Sequence, residues 1–230
     1  MCIINTSHNF VFIHIPKTAG TSISNALAMH CGVLDIELGG SPFGEAIQEA
    51  YMSRHHLRKH STAQELCERI GVRRWATMVS FAVLRDPVER LASAYRFLKG
   101  WDSPANTERE QWLAYPSFRD FVASGLWERS DGPDRMFASQ ATWVEGAHGE
   151  LLVQHLVPMT QLKQGLLKVL THADSTVDWK ASINSMEHLN QSEPETIVLD
   201  ENSLRRLKQH YDADYQLLAK AESHPWWLSE

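Results

Sequence analysis

Lys17, Thr18, Thr21 and Ser22 crowd around Gly20, directly after the apolar run Val11-Phe12-Ile13-His14-Ile15-Pro16. An ammonium and three hydroxyls beside a glycine suit the binding of an anion. A helical pattern starts immediately afterwards, and a strand, a tight turn and a helix start aim backbone N–H groups and the positive end of a helix dipole at one bound anion. The N–H groups of Ala19 and Gly20 belong to the same cradle. A Walker A loop needs Gly-x-x-x-x-Gly-Lys-Ser/Thr. Here Thr21 stands where that lysine belongs, the lysine comes earlier at Lys17, and no Walker B acid is evident, which disfavours a kinase or NTPase.

The chain repeats the device at Arg85-Asp86-Pro87-Val88-Glu89-Arg90, after a second apolar run. Arg85 falls at the C-terminal end of a strand, where open α/β sheets bind ligands. Ser93 lies two turns into the following helix and points back toward the corner. An arginine and a hydroxyl converging there suit a second phosphate. Arg90 stands open between a phosphate contact and a solvated helix face. Two anion sites at neighbouring strand ends imply a nucleotide carrying two separate phosphate groups. Of the 12 histidines, His60 sits in a loop just ahead of a helix start, while His14 lies inside the first strand and reads as a buried hydrogen-bonding group.

The elements that must position these groups alternate between strand and helix. Residues 9–15 and 78–84 read as buried strands, because apolar residues fill nearly every position. The first is followed by a helix with Ile23, Ala26, Leu27 and His30 on one face, ending at Gly32. Residues 33–53 are weakly patterned around the loop Gly39-Gly40-Ser41-Pro42. Ser61 with Gln64 fits a capping box for a helix reaching about Ile70. Asp86 as N-cap, Pro87 at the first helical position and Glu89 start a further helix that ends at Gly100.

Residues 101–146 fit short helices, one capped by Ser117 with Asp120. A third strand is expected in 151–157, a helix from Thr160 to about Leu170, loop over 171–195, a short strand at 196–199 and a closing helix through Leu204, Leu207, Tyr211 and Leu218. The tryptophans at 101, 112, 127 and 143 read as core rather than as sugar-stacking platforms. Alternating strands and helices predict an α/β fold of the P-loop NTPase-like kind, a central parallel sheet flanked by helices in three layers. No linker divides the chain, so residues 1–230 read as a single domain.

The totals narrow the function classes. The 230 residues are 43% hydrophobic and 22% charged, ordinary for a soluble globular protein. A net charge of −6 argues against a nucleic-acid footprint but leaves room for a small basic pocket. Cys2, Cys31 and Cys67 are too few and too scattered for a disulfide framework or a zinc site and suit a reducing compartment. No run approaches the ~18 apolar residues of a membrane span. The first ten residues lack the pattern of a signal peptide, so a cytoplasmic protein is expected.

The two corners resemble those of the sulfotransferases, in particular the carbohydrate-type branch that includes heparan sulfate 2-O-sulfotransferases and bacterial relatives. Phe12 to Ser22 is similar to the family's 5′-phosphosulfate loop, and Val83 to Tyr95 to its 3′-phosphate motif. Lys59-His60-Ser61-Thr62-Ala63 is similar to the segment carrying the catalytic histidine, and weaker echoes lie at Leu189–Ser192 and Tyr211–Tyr215. The resemblance implies transfer of a sulfuryl group from 3′-phosphoadenosine 5′-phosphosulfate (PAPS) to an acceptor hydroxyl on a carbohydrate or glycosylated metabolite, with adenosine 3′,5′-bisphosphate as product and no metal.

In that scheme Lys17, Thr18, Thr21, Ser22 and the loop N–H groups hold the 5′-phosphate that leaves. Arg85 and Ser93 hold the 3′-phosphate, His60 takes the acceptor's proton, and Ser192 is a further cofactor candidate. Asn190-Gln191-Ser192 otherwise reads as a glycosylation sequon, which matters only in a secreted chain. The rival readings are a nucleotide-dependent kinase on a related fold and a non-catalytic nucleotide-binding module.

Overall fold

The computed structural model describes residues 2–103, 106–129, 135–186 and 197–223. Among them five strands form one sheet in the order β3-β1-β2-β4-β5, with β1 (Cys2–Asn5), β2 (Phe10–Ile13), β3 (Ile36–Leu38), β4 (Val79–Leu84) and β5 (His155–Pro158). The half that carries the predicted corners is parallel, β2 against β4 and β4 against β5. The expectation of a wholly parallel sheet is corrected at the other edge. There β1 runs antiparallel to both β2 and β3. The β1–β2 link is only residues 6–9, far shorter than the dozen or more that a parallel crossover requires, so a hairpin is the available connection.

Alternation along the central strands sends their side chains to two faces. Val11, Ile13, Ala82 and Leu84 face one core, shared with Leu57, Leu66, Trp143 and Leu217. Phe10, Phe12, Phe81 and Val83 face the other, covered by α1 (Gly20–Ala28) through Ile23 and Leu27 and, further along the chain, by a helix through Leu166, Val169 and Leu170. Burial on both faces is why these strands read as unbroken apolar runs.

The stretch around residues 33–53 is more regular than its pattern suggests: it holds β3 and α2 (Pro42–His55). Helix α2 escapes periodicity because Gly44 is its only buried residue. Helix α3 (Ala63–Ile70) begins one residue later than predicted. Its capping box is Thr62 with Glu65, while the Ser61 hydroxyl accepts the Arg58 N–H at 3.1 Å. After the short α4 (Val72–Trp75) and β4, α5 (Pro87–Gly100) starts as expected, the Asp86 carboxylate accepting from the Val88 and Glu89 N–H groups.

Beyond α5 come α6 (Arg109–Leu113), α7 (Phe118–Ser124) with the predicted Ser117–Asp120 capping box, and α8 (Ala141–Val144). After β5 the chain continues through α9 (Leu162–Ala173), α10 (Trp179–Asn184), α11 (Glu201–His210) and α12 (Asp212–Ser223). Helix α10 replaces part of the expected 171–195 loop. Residues 197–199 form no strand, and the predicted closing helix breaks at Tyr211 into α11 and α12.

Trp112 and Trp127 pack in a third core beside α5, with Tyr95, Phe121 and Tyr211, and Trp143 is equally buried. Their indole N–H groups donate to Asn106, to the Val122 carbonyl and to the His60 carbonyl respectively, which satisfies the one polar atom of each ring. Cys2, Cys31 and Cys67 are free. Among the described residues no helix is long and apolar enough to cross a membrane.

Candidate active site

The C-terminal ends of β2, β4 and β5 open onto one cavity of about 1260 Å³. Its wall includes Lys17, Ala19 to Ser22, Arg85, Ser93 and His60, so it brings together both predicted corners and the predicted base. The cations Lys17, Lys59, Arg85, Arg96 and Lys163 line it against two carboxylates, Glu45 and Glu89. A chain of net charge −6 has thus gathered a basic pocket where parallel strands end.

The first corner is a strained turn. Lys17 and Ala19 hold positive φ of 69° and 64° without being glycine, at a cost of roughly 1–3 kcal/mol each. Ala19 is the N-cap of α1 and makes no side-chain cap. The first helical bond runs from Ile23 N–H to Ala19 O at 3.1 Å, so the Gly20 and Thr21 N–H groups have no carbonyl within the helix. Gly20 is required for space: a Cβ there would fall on the His14 imidazole. Thr18 is fully buried, and its hydroxyl donates to the Ile15 carbonyl at 2.9 Å. It therefore braces the turn from below, while Thr21 and Ser22 stand on the cavity wall.

The Lys17 ammonium lies 4.1 Å above the centre of the Phe97 ring, a cation–π seat. Burial, and then repulsion from Arg85 and Arg96, brings its pKa down from 10.5 to about 8. Phe97 and Arg96 share with Ser93 and Glu89 the cavity face of α5. Arg85 joins the two corners, its Nη1 donating to the Lys17 carbonyl at 3.4 Å and its Nε facing Glu89 at 3.4 Å. Arg90 takes neither role considered for it. It is buried and donates to the carbonyls of Met136 and Ala138, tying α5 to the segment before α8.

His60 is half-buried on the cavity wall, its ring centre 4.6 Å from that of His14. Its Nδ1 lies 3.1 Å from the His14 carbonyl oxygen. A carbonyl only accepts, so this contact fixes the proton on Nδ1 and leaves the Nε2 lone pair as the basic site. Burial pushes the imidazole well below the usual histidine range, and the Lys59 and Arg58 charges push the same way. His60 is therefore neutral at neutral pH. His14 is buried, as expected, and is likewise held well below the usual range by burial.

Several groups in the site carry no motif. Gly39 to Pro42 line the cavity, and the buried Glu37 carboxylate accepts from the Gly40 N–H and from the Ser41 N–H and hydroxyl, which fixes that turn at the head of α2. Behind Arg85, the fully buried Gln140 bonds its main-chain N–H and carbonyl and donates in turn to the fully buried Asp214. Single side chains reaching across the fold leave no spacing to read. The Gly39–Pro42 turn beside Glu37 and the faint echo at Tyr211–Tyr215 that includes Asp214 are the sequence signals near them. Ser192 lies outside the described residues, as do Asn190 and Gln191. Among the described residues no group of three or more His, Cys, Asp or Glu is placed to hold a metal ion.

A mixed α/β sheet whose parallel strand ends open onto a basic cavity has the arrangement in which open α/β sheets bind ligands. The chain belongs to the sulfotransferase family, whose sequence model matches residues 1–221. No curated protein and no solved structure matches it.

Proposed function

We propose that this chain is a PAPS-dependent sulfotransferase, working as one domain on a P-loop-like fold, with a hydroxyl of a carbohydrate or glycosylated metabolite as acceptor. The reading is carried by one observation: Lys17, Arg85 and the neutral His60 line the same cavity. The residues present fit the donor, because the cavity offers a loop-and-helix cradle at 19–22 and a separate Arg85–Ser93 corner for two phosphates. When bound, the donor supplies a sulfuryl group activated by its 5′-phosphate.

The N–H groups of the loop, the Thr21 and Ser22 hydroxyls and the Lys17 ammonium hold that phosphate and stabilise the charge it gains as its bond to sulfur breaks. Arg85 and Ser93 hold the 3′-phosphate and so distinguish PAPS from ATP. His60 Nε2 takes the acceptor hydroxyl proton as the new oxygen–sulfur bond forms. Positioning and electrostatics do most of the catalysis, as in phosphoryl transfer.

Thermal shift with three ligands tests the reading. Adenosine 3′,5′-bisphosphate is expected to raise Tm and ATP with magnesium to leave it unchanged; the reverse pattern assigns a kinase. With PAPS and an acceptor panel, turnover that vanishes in Lys17→Ala and Arg85→Ala supports the site, and turnover unchanged in both refutes it. His60→Ala separates enzyme from nucleotide sensor, since an enzyme loses turnover and keeps its nucleotide affinity.

A further inference from the structure

Arg85 follows the last residue of β4, where the sheet ladder gives out. Its main-chain groups are instead taken up by one side chain. Gln140 Oε1 accepts the Arg85 N–H at 3.0 Å, and Gln140 Nε2 donates to the Arg85 carbonyl at 2.8 Å. The second Nε2 hydrogen goes to Asp214 Oδ2 at 3.3 Å. The other Asp214 oxygen accepts from the Ser139 hydroxyl at 2.5 Å and the Ala141 N–H at 3.2 Å. Gln140 and Asp214 are both fully buried.

The sense of the Gln140 amide decides everything downstream. An amide turned end for end would set N–H₂ against the Arg85 N–H and oxygen against the Arg85 carbonyl, and both bonds would be lost. A carboxylate is acceptor only, so Asp214 admits only the N–H₂ end. Gln140 occupies the N-cap position of α8 yet makes no cap bond; its amide is committed to Arg85.

We propose that Asp214, through Gln140, is a positioning device for Arg85. It fixes the arginine's main chain so that the guanidinium is presented to the 3′-phosphate, and it makes α12, the last of the described helices, part of donor recognition. The proposal rests on the reading of Arg85 as the 3′-phosphate ligand. Asp214 also anchors α8 through Ala141, so loss of stability alone is no test.

The discriminating quantity is the preference for a 3′-phosphate: the Kd of adenosine 5′-monophosphate divided by the Kd of adenosine 3′,5′-bisphosphate, measured by calorimetry on the full chain. Gln140→Met keeps the volume and removes both bonds to Arg85. It is expected to lower the preference about tenfold, through the bisphosphate alone, as for the loss of about one well-placed hydrogen bond. Asp214→Asn is expected to lower it in the same sense by less, since its amide must oppose a donor at either Gln140 or Ala141. Arg85→Ala marks the floor.

An unchanged preference in both variants overturns the proposal, and so does an equal loss for the two nucleotides. A wild type with no preference overturns the 3′-site reading, and this one with it. Should Gln140→Met fail to melt cooperatively, Asp214→Asn decides on the same ratio.

Discussion

Raising the pH is the gentlest perturbation of the site, because burial and the neighbouring Arg85 and Arg96 bring the Lys17 pKa down to about 8. A bound phosphate replaces lost solvation and outweighs the repulsion from Arg85 and Arg96, so binding drives Lys17 back toward its protonated form. With a pKa of about 8 in the free protein, Lys17 is about nine-tenths charged at about pH 7 and about one-tenth charged at about pH 9. If the charged form binds, the Kd of adenosine 3′,5′-bisphosphate rises about tenfold across that interval, and at the upper end about 0.9 proton is taken up per nucleotide.

Calorimetry in two buffers of different ionisation enthalpy reads both quantities. The phosphates themselves titrate around a second pKa of about 6, so their midpoint lies below the window. Lys17→Arg, charged throughout, is expected to bind with a flat pH profile. The unliganded protein moves the opposite way. The folded pKa lies below the unfolded one, so the unfolded chain binds more protons between about pH 8 and about pH 10.5, and the Lys17 contribution to stability rises across that window. A wild-type affinity that is flat to about pH 9, or a Lys17→Arg variant with the same slope as wild type, refutes the assignment.

Three further outcomes are expected. His60→Ala lowers kcat by about 10²–10⁴ with nucleotide Kd unchanged, and the acid limb of wild-type kcat/KM lies well below pH 6.5, where the depressed His60 charges; a limb at the ordinary histidine value contradicts the neutral-base reading. Gly20→Ala forces a Cβ onto His14 and costs about 1–3 kcal/mol, seen as a Tm lower by roughly 2–12 °C together with weaker nucleotide binding. Thr62→Ala removes the α3 cap at about 1 kcal/mol, or roughly 2–4 °C in a chain of this size; a larger fall in Ser61→Ala than in Thr62→Ala would return the cap to Ser61.

The parts legible in the sequence are those written locally. Asp86-Pro87-Val88-Glu89 starts α5 where expected, because an N-cap, a helix-start proline and an acid in the first turn all act within one turn. The α3 cap was ambiguous by one residue because Ser61-Thr62-Ala63-Gln64-Glu65 satisfies the same pattern twice, and only packing decides between them. Long-range pairing left no local trace. The four-residue β1 and three-residue β3 are defined by their partners, and α2 buries too little to show a period. Arg90 illustrates the limit best: its spacing fits a ligand or a solvated face, and only the arrival of the Met136 and Ala138 carbonyls makes it a buried strut.

The bond from Arg85 to the Lys17 carbonyl means that neither of the two proposed phosphate sites is built independently of the other. A ligand that seats Arg85 also steadies the turn bearing Lys17, and the converse holds by reciprocity. Fragments bearing only the 3′- or only the 5′-phosphate should therefore bind less well than their summed share of the whole nucleotide. The shortfall is the coupling between the corners. On the proposed reading, selectivity for a doubly phosphorylated donor then resides in the link as much as in either contact.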